Sequence, residues 1–212
     1  MDNLVEEAGL REGISEVIAT TQPLSGTPNA APVGILSRGS EYRVRLYRGS
    51  KTLSNVRETM RLAANVTRDP MFFVRTLFGN LSPSDFSLFH GFPVLKEANS
   101  WVLFRCHLVY EGTDSLLFLL SPLAVAIIRA RIYAINRGLN AVIEAAILAS
   151  RYDIMKSDRE REQMMRKMGD YAEIVERCGG RREKEAMRLL IDELQKKANQ
   201  NRRVSKNLSM LL

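Results

Sequence analysis

The stretch RGSKTLSN, Arg48 to Asn55, follows YRVRLY (Tyr42 to Tyr47) and precedes VRETMRL (Val56 to Leu62). The first flank alternates apolar and polar residues and reads as a strand, and the second reads as a short helix. A strand-to-helix turn carrying Gly49, Ser50, Lys51 and Thr52 has two readings. It can gather free backbone N–H groups, the positive end of a helix dipole, two hydroxyls and a lysine charge around a phosphate. Alternatively, Ser50 is an N-cap, Lys51 is solvated and Asn55 faces water. On this stretch alone the capping reading is the simpler.

The flanking sequence carries short segments rich in β-branched residues, separated by turn residues at close spacing. Residues 14–21, 33–37, 43–47 and 62–67 are the predicted strands, with PLSGTPNAAP and RGSE as turns between the first three. This is a meander, hence antiparallel. WVLFRCHLVYEGTDSLLFLLS, Trp101 to Ser121, adds two apolar stretches around a Glu-Gly-Thr-Asp turn, a hairpin signal. DPMFFVRTLFG, Asp69 to Gly79, predicts a short helix opened by an aspartate cap with proline at its first position. After about Pro122 the texture turns helical, and three helices are predicted over 139–150, 158–178 and 183–197, with CGG (Cys178 to Gly180) as stop and turn. The last two pair through stripes that include Met164, Met168 and Val175 on one side and Met187, Leu190 and Leu194 on the other. A methionine stripe at this spacing is packing. The residues alone therefore give six or so strands plus a helical appendage.

Of the 212 residues, 45% are hydrophobic and 26% charged, which excludes disorder and fibrous repeats. The net charge is +7, which invites a phosphorylated ligand or a polyanion. The charge is uneven: Glu6, Glu7, Glu12 and Glu16 make the start acidic, while Lys196, Lys197, Arg202, Arg203 and Lys206 load the end with base. No arginine–aromatic interleaving or nucleic-acid motif accompanies that end, so it reads as a solvated helix face and a frayed terminus rather than a nucleic-acid reader. Two cysteines, Cys106 and Cys178, match neither a metal site nor a disulfide framework, and His90 and His107 lack a second ligand pair, so no metal is expected. The acidic start MDNLVEEAGL leads into no signal core, so a cytoplasmic location is expected. The apolar run from Leu116 to Ile128 is too short to cross a bilayer and reads as buried core, with no membrane partner.

A second stretch, ATTQPLSGTPNAAPVGIL from Ala19 to Leu36, puts small residues at the end of one strand and the start of the next. Ala30, Ala31 and Gly34 leave room for a flat ligand against backbone, with Asn29 and Thr21 at its polar edge. The alternative is a hairpin whose loop needs Ser, Gly, Pro and Asn for turn geometry alone.

Taken together the two stretches resemble the FMN-binding split-barrel superfamily, the flavin reductase-like proteins. The matching residues are Thr20 and Thr21, NAAPVG from Asn29 to Gly34, GSKTLSN from Gly49 to Asn55, and AANVTRDP with Asn65. With NRGLNAVIEAAILASR, Asn136 to Arg151, the chain resembles an uncharacterised, mainly archaeal group of that superfamily with a C-terminal helical extension. The resemblance implies an α+β fold built on an antiparallel split β-barrel. It implies a split-barrel FMN-binding domain over 1–121 and a helical extension over 122–198 that packs on the barrel or dimer, while residues 199–212, polar and without core periodicity, read as a basic flexible tail. It also implies FMN, bound non-covalently by Thr20, Thr21, Asn29, Ala30, Ala31, Val33, Ser50, Lys51, Thr52, Asn55 and Asn65, at the subunit interface of a homodimer. The function implied is that of an oxidoreductase, with NAD(P)H or a deazaflavin as electron donor. A flavin carrier without turnover is the alternative, and polyanion binding through the basic end is the weaker third.

There is no Gly-x-Ser-x-Gly elbow, Walker loop or Gly-x-Gly-x-x-Gly turn, so hydrolase, ATPase and Rossmann readings lack their signatures. No catalytic acid or base is assigned. Glu144, within VIEAAI, reads as a carboxylate on a largely buried helix, paired with an arginine such as Arg137 or Arg151.

Overall fold

The computed structural model describes residues 1–79, 81–129, 134–155 and 157–209, with side chains as far as residue 200. In chain order the elements are α1 (Asp2–Glu7), β1 (Gly13–Thr21), β2 (Asn29–Arg38), β3 (Glu41–Tyr47), α2 (Lys51–Thr59), β4 (Arg61–Val66), α3 (Pro70–Leu77), β5 (Phe86–Phe89), β6 (Phe92–Leu95), β7 (Ser100–Glu111), β8 (Ser115–Ile127), α4 (Arg137–Ala149), α5 (Asp158–Cys178) and α6 (Arg181–Ser209).

Two compact units divide these elements. In the first, six strands close into a barrel in the order β1-β2-β3-β8-β7-β4, every neighbour antiparallel. Closure removes the unpaired edges an open sheet would expose. The strand period of two sorts side chains cleanly: in β3, Tyr42, Val44 and Leu46 are buried and Glu41, Arg43, Arg45 and Tyr47 exposed. The inward rows of all six strands make one core around Phe104, Phe118 and Ile35, each essentially fully buried. Burying each such side chain stabilises the fold by roughly 1.5–3 kcal/mol. Helix α1 adds Val5 to this core, and Ser100 Oγ ties the following turn by donating to Ala8 O. Helix α2 adds Leu53 and Val56 at the opposite end, where β3 leaves the barrel.

The hairpin β5–β6 was not expected from the sequence. Pro93 sits inside its second strand, where proline argues against a central position. Its turn, His90-Gly91, has φ of 49° and 71°, the left-handed geometry of a two-residue hairpin turn. Phe92 and Val94 cover Ala63 and Leu103 on the outer face of β4 and β7.

The second unit comprises Asp69–Phe78 together with the chain from α4 onward. Its helices start where the sequence supplies caps. Asp69 Oδ1 accepts from Met71 N at 3.0 Å with Pro70 next in line, Asn136 Oδ1 accepts from Leu139 N at 3.1 Å, and Ser157 forms a capping box with Glu160. The predicted stripes meet in one core with Val74 of α3 and the alanines of α4.

Several boundaries differ from the sequence reading. Strand β8 runs to Ile127, so the limit at residue 121 falls inside it. Helix α3 belongs to the helical unit although its sequence lies within the barrel half. Helix α6 continues to Ser209, past residue 199, and the side chains of the basic residues Arg202, Arg203 and Lys206 lie outside the described ones. Glu144 is exposed on α4, because the buried positions there are Ala141, Val142, Ala145 and Ala146, and no buried carboxylate needs pairing.

Gly138, at the start of α4, lies against Gly179 at the α5–α6 turn, and a Cβ on Gly138 would stand 2.4 Å from the Gly179 Cα. Gly169 lies on the exposed side of α5 with open space around it. Gly138→Ala is therefore expected to destabilise by about 1–3 kcal/mol through overpacking, whereas Gly169→Ala is expected to stabilise by about 0.5–1 kcal/mol. Thermal and urea melts of the two variants check this contrast.

Candidate functional site

The turn after β3 is built by Gly49, whose φ of +79° admits glycine readily, and by Ser50 in extended conformation. Ser50 Oγ accepts from Leu53 N at 3.2 Å and donates to Tyr47 O at 2.7 Å. Ser50 is thus the N-cap, as the simpler reading had it. The same geometry leaves the backbone N–H groups of Lys51 and Thr52 without an acceptor among the described residues. They point out of the first turn of a nine-residue helix, the place where an anion is favoured. Lys51 is exposed there and pairs with no carboxylate among the described residues. Behind the turn, Arg48 and Arg57 both bind Glu111, at 2.7 and 2.6 Å, and Arg48 Nε donates to Gly112 O. The hydrogen bond from Arg48 leads in holding the Glu111 carboxyl below its ordinary range.

The other residues of the Gly49–Asn55 stretch face the barrel. Asn55 does not face water: it is 3% exposed, and its Nδ2 donates to Thr21 Oγ1 at 3.1 Å. Asn29 Nδ2 donates to Thr52 Oγ1, also at 3.1 Å. Thr21 and Asn29 are register partners at the β1–β2 end, while Thr52 and Asn55, three apart, share one face of α2. These two bonds fasten the helix start to the end of the hairpin. In each the threonine oxygen accepts, which leaves the hydroxyl proton to donate elsewhere.

Thr20 and Asn65 belong to a second cluster, with both residues fully buried. Asn65 Nδ2 donates to Ile18 O at 2.8 Å and Thr20 Oγ1 at 3.0 Å, Asn65 Oδ1 accepts from Leu95 N at 2.7 Å, and Thr20 Oγ1 donates to Pro93 O at 2.6 Å. Their bonds run to β6, so these two residues hold the β5–β6 hairpin against the barrel. Ala30 lies on this same outer face, opposite Thr20 in register, while Ala31 and Val33 share the inner face with Ala19 and Val17. The structure therefore brings Thr21, Asn29, Thr52 and Asn55 together, sets Ser50 and Lys51 at the exposed turn beside them, and separates Thr20 and Asn65 into an interior network. Pro93 and Leu95, whose backbone completes that network, went unnoticed in the sequence because backbone partners have no side-chain signature.

Cys106 sits in the barrel core, where burial pushes its thiol up to about 12, so it behaves as a small apolar group. Among the described residues no cluster of His, Cys, Asp and Glu is arranged to hold a metal, and no helix is long and apolar enough to cross a membrane.

Two family models match the chain. Residues 15–129 match "Protein of unknown function (DUF447) N-terminal domain", and residues 136–192 match "Protein of unknown function (DUF447)". Among solved structures, an FMN-bound DUF447 protein from Methanosarcina mazei is 40% identical, with a TM-score of 0.81 over 89% of this chain and 98% of its own. More remote are the flavin reductase PheA2, at 20% identity and TM-score 0.46 over 60% of this chain and 88% of its own, and an FMN-binding protein from Thermus thermophilus, at 16% and 0.45 over 57% and 74%.

The cap geometry separates two residues that are neighbours in sequence. Ser50→Ala removes the acceptor for Leu53 N and is expected to lower stability by about 1 kcal/mol, while Lys51→Ala leaves the thermal midpoint unchanged. Differential scanning calorimetry of both variants reads the difference.

Proposed function

The chain belongs to the DUF447 family, and on that premise we propose that it is an FMN-binding flavoprotein acting as a homodimeric oxidoreductase. The observation that carries the reading is the first turn of α2, where two N–H groups and a lysine without partners among the described residues stand at one point. A phosphate monoester needs that set of donors, and the FMN-bound relative supplies the chemical identity of the ligand.

The residues fit such a ligand. Lys51 and the N–H groups of Lys51 and Thr52 hold the phosphate, and Ser50 keeps the turn wound. The Thr52 hydroxyl, already accepting from Asn29, has its proton free to donate. The Thr21–Asn55 bond holds the helix before any ligand arrives, so little ordering remains to be done on binding. At the strand end, Ala30 offers a small side chain and the Ala30–Val33 stretch its backbone to a flat ring, while Ala31 and Val33 turn their side chains to the inner face. Thr20 and Asn65 act at one remove by fixing the hairpin beside them. FMN, when bound, accepts hydride or electrons at its ring. The protein's part is to bind, orient and exclude water. In the second half of β8 every residue from Ser121 to Ala126 is half-buried, an apolar surface suited to cover by a second subunit. NAD(P)H or a deazaflavin is the electron donor in this reading.

The purified protein should carry or take up one FMN per chain, and anaerobic NADH, NADPH or a reduced deazaflavin should bleach it. Flavin that binds but is bleached by none of these makes the protein a carrier. Lys51→Ala should weaken FMN by about one to two orders of magnitude, the worth of a charge-assisted contact of roughly 1.5–3 kcal/mol, and leave riboflavin affinity unchanged. Equal losses for both ligands would move the lysine away from the phosphate, and no FMN binding at all would end the reading.

A further inference from the structure

The register of the barrel collects arginines that are scattered in sequence onto one outer face. Arg38 stands opposite Glu41, Arg43 between Leu36 and Leu119, Arg45 beside Leu117, and Arg61 beside Arg105, whose other neighbour is Ser121. His107 and Tyr110 continue the rows from Leu119 and Leu117. Because the barrel is closed, these strands wrap around most of it: the face centred on β8 carries Arg43 and Arg45 of β3 and Arg105 of β7, with Arg38 of β2 and Arg61 of β4 at its two flanks, five exposed arginines against one carboxylate, Glu41. Glu41 pairs with Arg43, and Arg45 reaches only the Ser115 hydroxyl. Arg38, Arg61 and Arg105 have no carboxylate partner among the described residues. Arg61 and Arg105 are also directly opposite in register, an arrangement of like charges that weakens a sheet.

We propose that this arginine face is a docking surface for an acidic protein. An excess of unpaired guanidinium groups selects a partner rich in Asp and Glu, which binds them in forked pairs. The half-buried Leu36, Leu117 and Leu119 between them give aliphatic contact that a phosphate backbone does not use. Arginine and tyrosine are enriched in protein interfaces and lysine depleted, and this face has arginines and two exposed tyrosines, Tyr47 and Tyr110, but no lysine. Single-stranded nucleic acid would need a row of aromatic platforms, whereas Tyr47, Tyr110 and His107 stand in three different register rows, with Ser115, Leu117 and Leu119 respectively. A second copy docking isologously would set the same positive surface against itself, which charge opposes. The proposal is independent of the flavin reading.

The test uses the full chain and a fluorescent peptide of interspersed glutamate and leucine, titrated by anisotropy across a range of salt. Arg43→Glu/Arg105→Glu should weaken the peptide by at least about thirtyfold, with a shallower salt dependence. Reversal of Arg202, Arg203 and Lys206 should change affinity by less than about threefold, which controls for net charge. The Arg105→Glu change places opposite charges across β4 and β7, so the melting temperature should hold or rise. Loss of binding in the terminal variant, or full binding in the face variant, overturns the proposal. Tighter binding of a single-stranded oligonucleotide through the same arginines makes the face a nucleic-acid surface, and dissociation of an oligomer by the face variant makes it a self-interface; each result overturns it too.

Discussion

Two amide-to-hydroxyl hydrogen bonds fasten the start of α2 to the barrel. Asn55 donates to Thr21 and Asn29 to Thr52, so one helix face is tied to both strands of the first hairpin at the barrel end. Each bond is worth only about 0.5–1.5 kcal/mol net, but breaking one leaves a buried polar atom unpaired at a cost of about 1–3 kcal/mol. The helix start is therefore held more firmly than its length would hold it, since an isolated helix this short is unstable in water. Preorganisation follows from this constraint. The two unpaired N–H groups and Lys51 stand together whether or not an anion is there.

The Asn65 network uses the same physics deeper in the molecule. A two-stranded hairpin is marginal in water, and β5–β6 gains an apolar anchor through Phe92 and Val94 and a polar one through Asn65 and Thr20. The polar bonds fix register, because Leu95 N and Pro93 O meet their partners at only one position along β6. A hydrophobic anchor alone would tolerate sliding. This explains asparagine and threonine at positions whose burial would otherwise favour valine or leucine.

What was legible in the sequence was what period and cap chemistry encode. The alternation around Val44 and Leu46, the turn at Gly112 and the cap Asp69 each act over a few residues, and each is realised at its place, whereas the cap Asn136 begins its helix two residues before the predicted start at 139. What was not legible depends on partners far along the chain. Asn55 looks like a surface residue beside Ser54 until Thr21 is brought against it. Helix α3 shows an apolar stripe but not which core receives it, and the helical unit does. Glu144 lies in an apolar string, yet it stands two residues after the buried Val142, roughly half a turn of α4, which puts it on the exposed side. The β5–β6 pairing was hidden because its turn uses His90 rather than Asn at a left-handed position, and because Pro93 interrupts the pattern. Among the candidate site residues, the fold brings Thr21, Asn29, Thr52 and Asn55 together and puts Thr20 and Asn65 in a separate buried network, a division that the sequence did not show.

Positive charge makes the same point about distance. Read linearly, the basic residues crowd toward the end of the chain, and the arginines at 38, 43, 45, 61 and 105 look like ordinary outward residues of separate strands. Antiparallel register puts them all on the outside of the barrel, with Arg43, Arg45 and Arg105 on the strands either side of β8 and Arg38 and Arg61 at the flanks. Strand β3 joins the two regions of positive potential: its outward side carries Arg43 and Arg45, and its end delivers the chain to Gly49 and the start of α2. Its inward side, Tyr42, Val44 and Leu46, is committed to the core. With one face closed to change by packing and the end closed by the cap, only the outward positions can vary without cost to the fold. Stability alone would place carboxylates among them, since opposite charges across a ladder are favoured by about 0.2–1 kcal/mol per pair and like charges are not. Arg61 facing Arg105 runs against that preference.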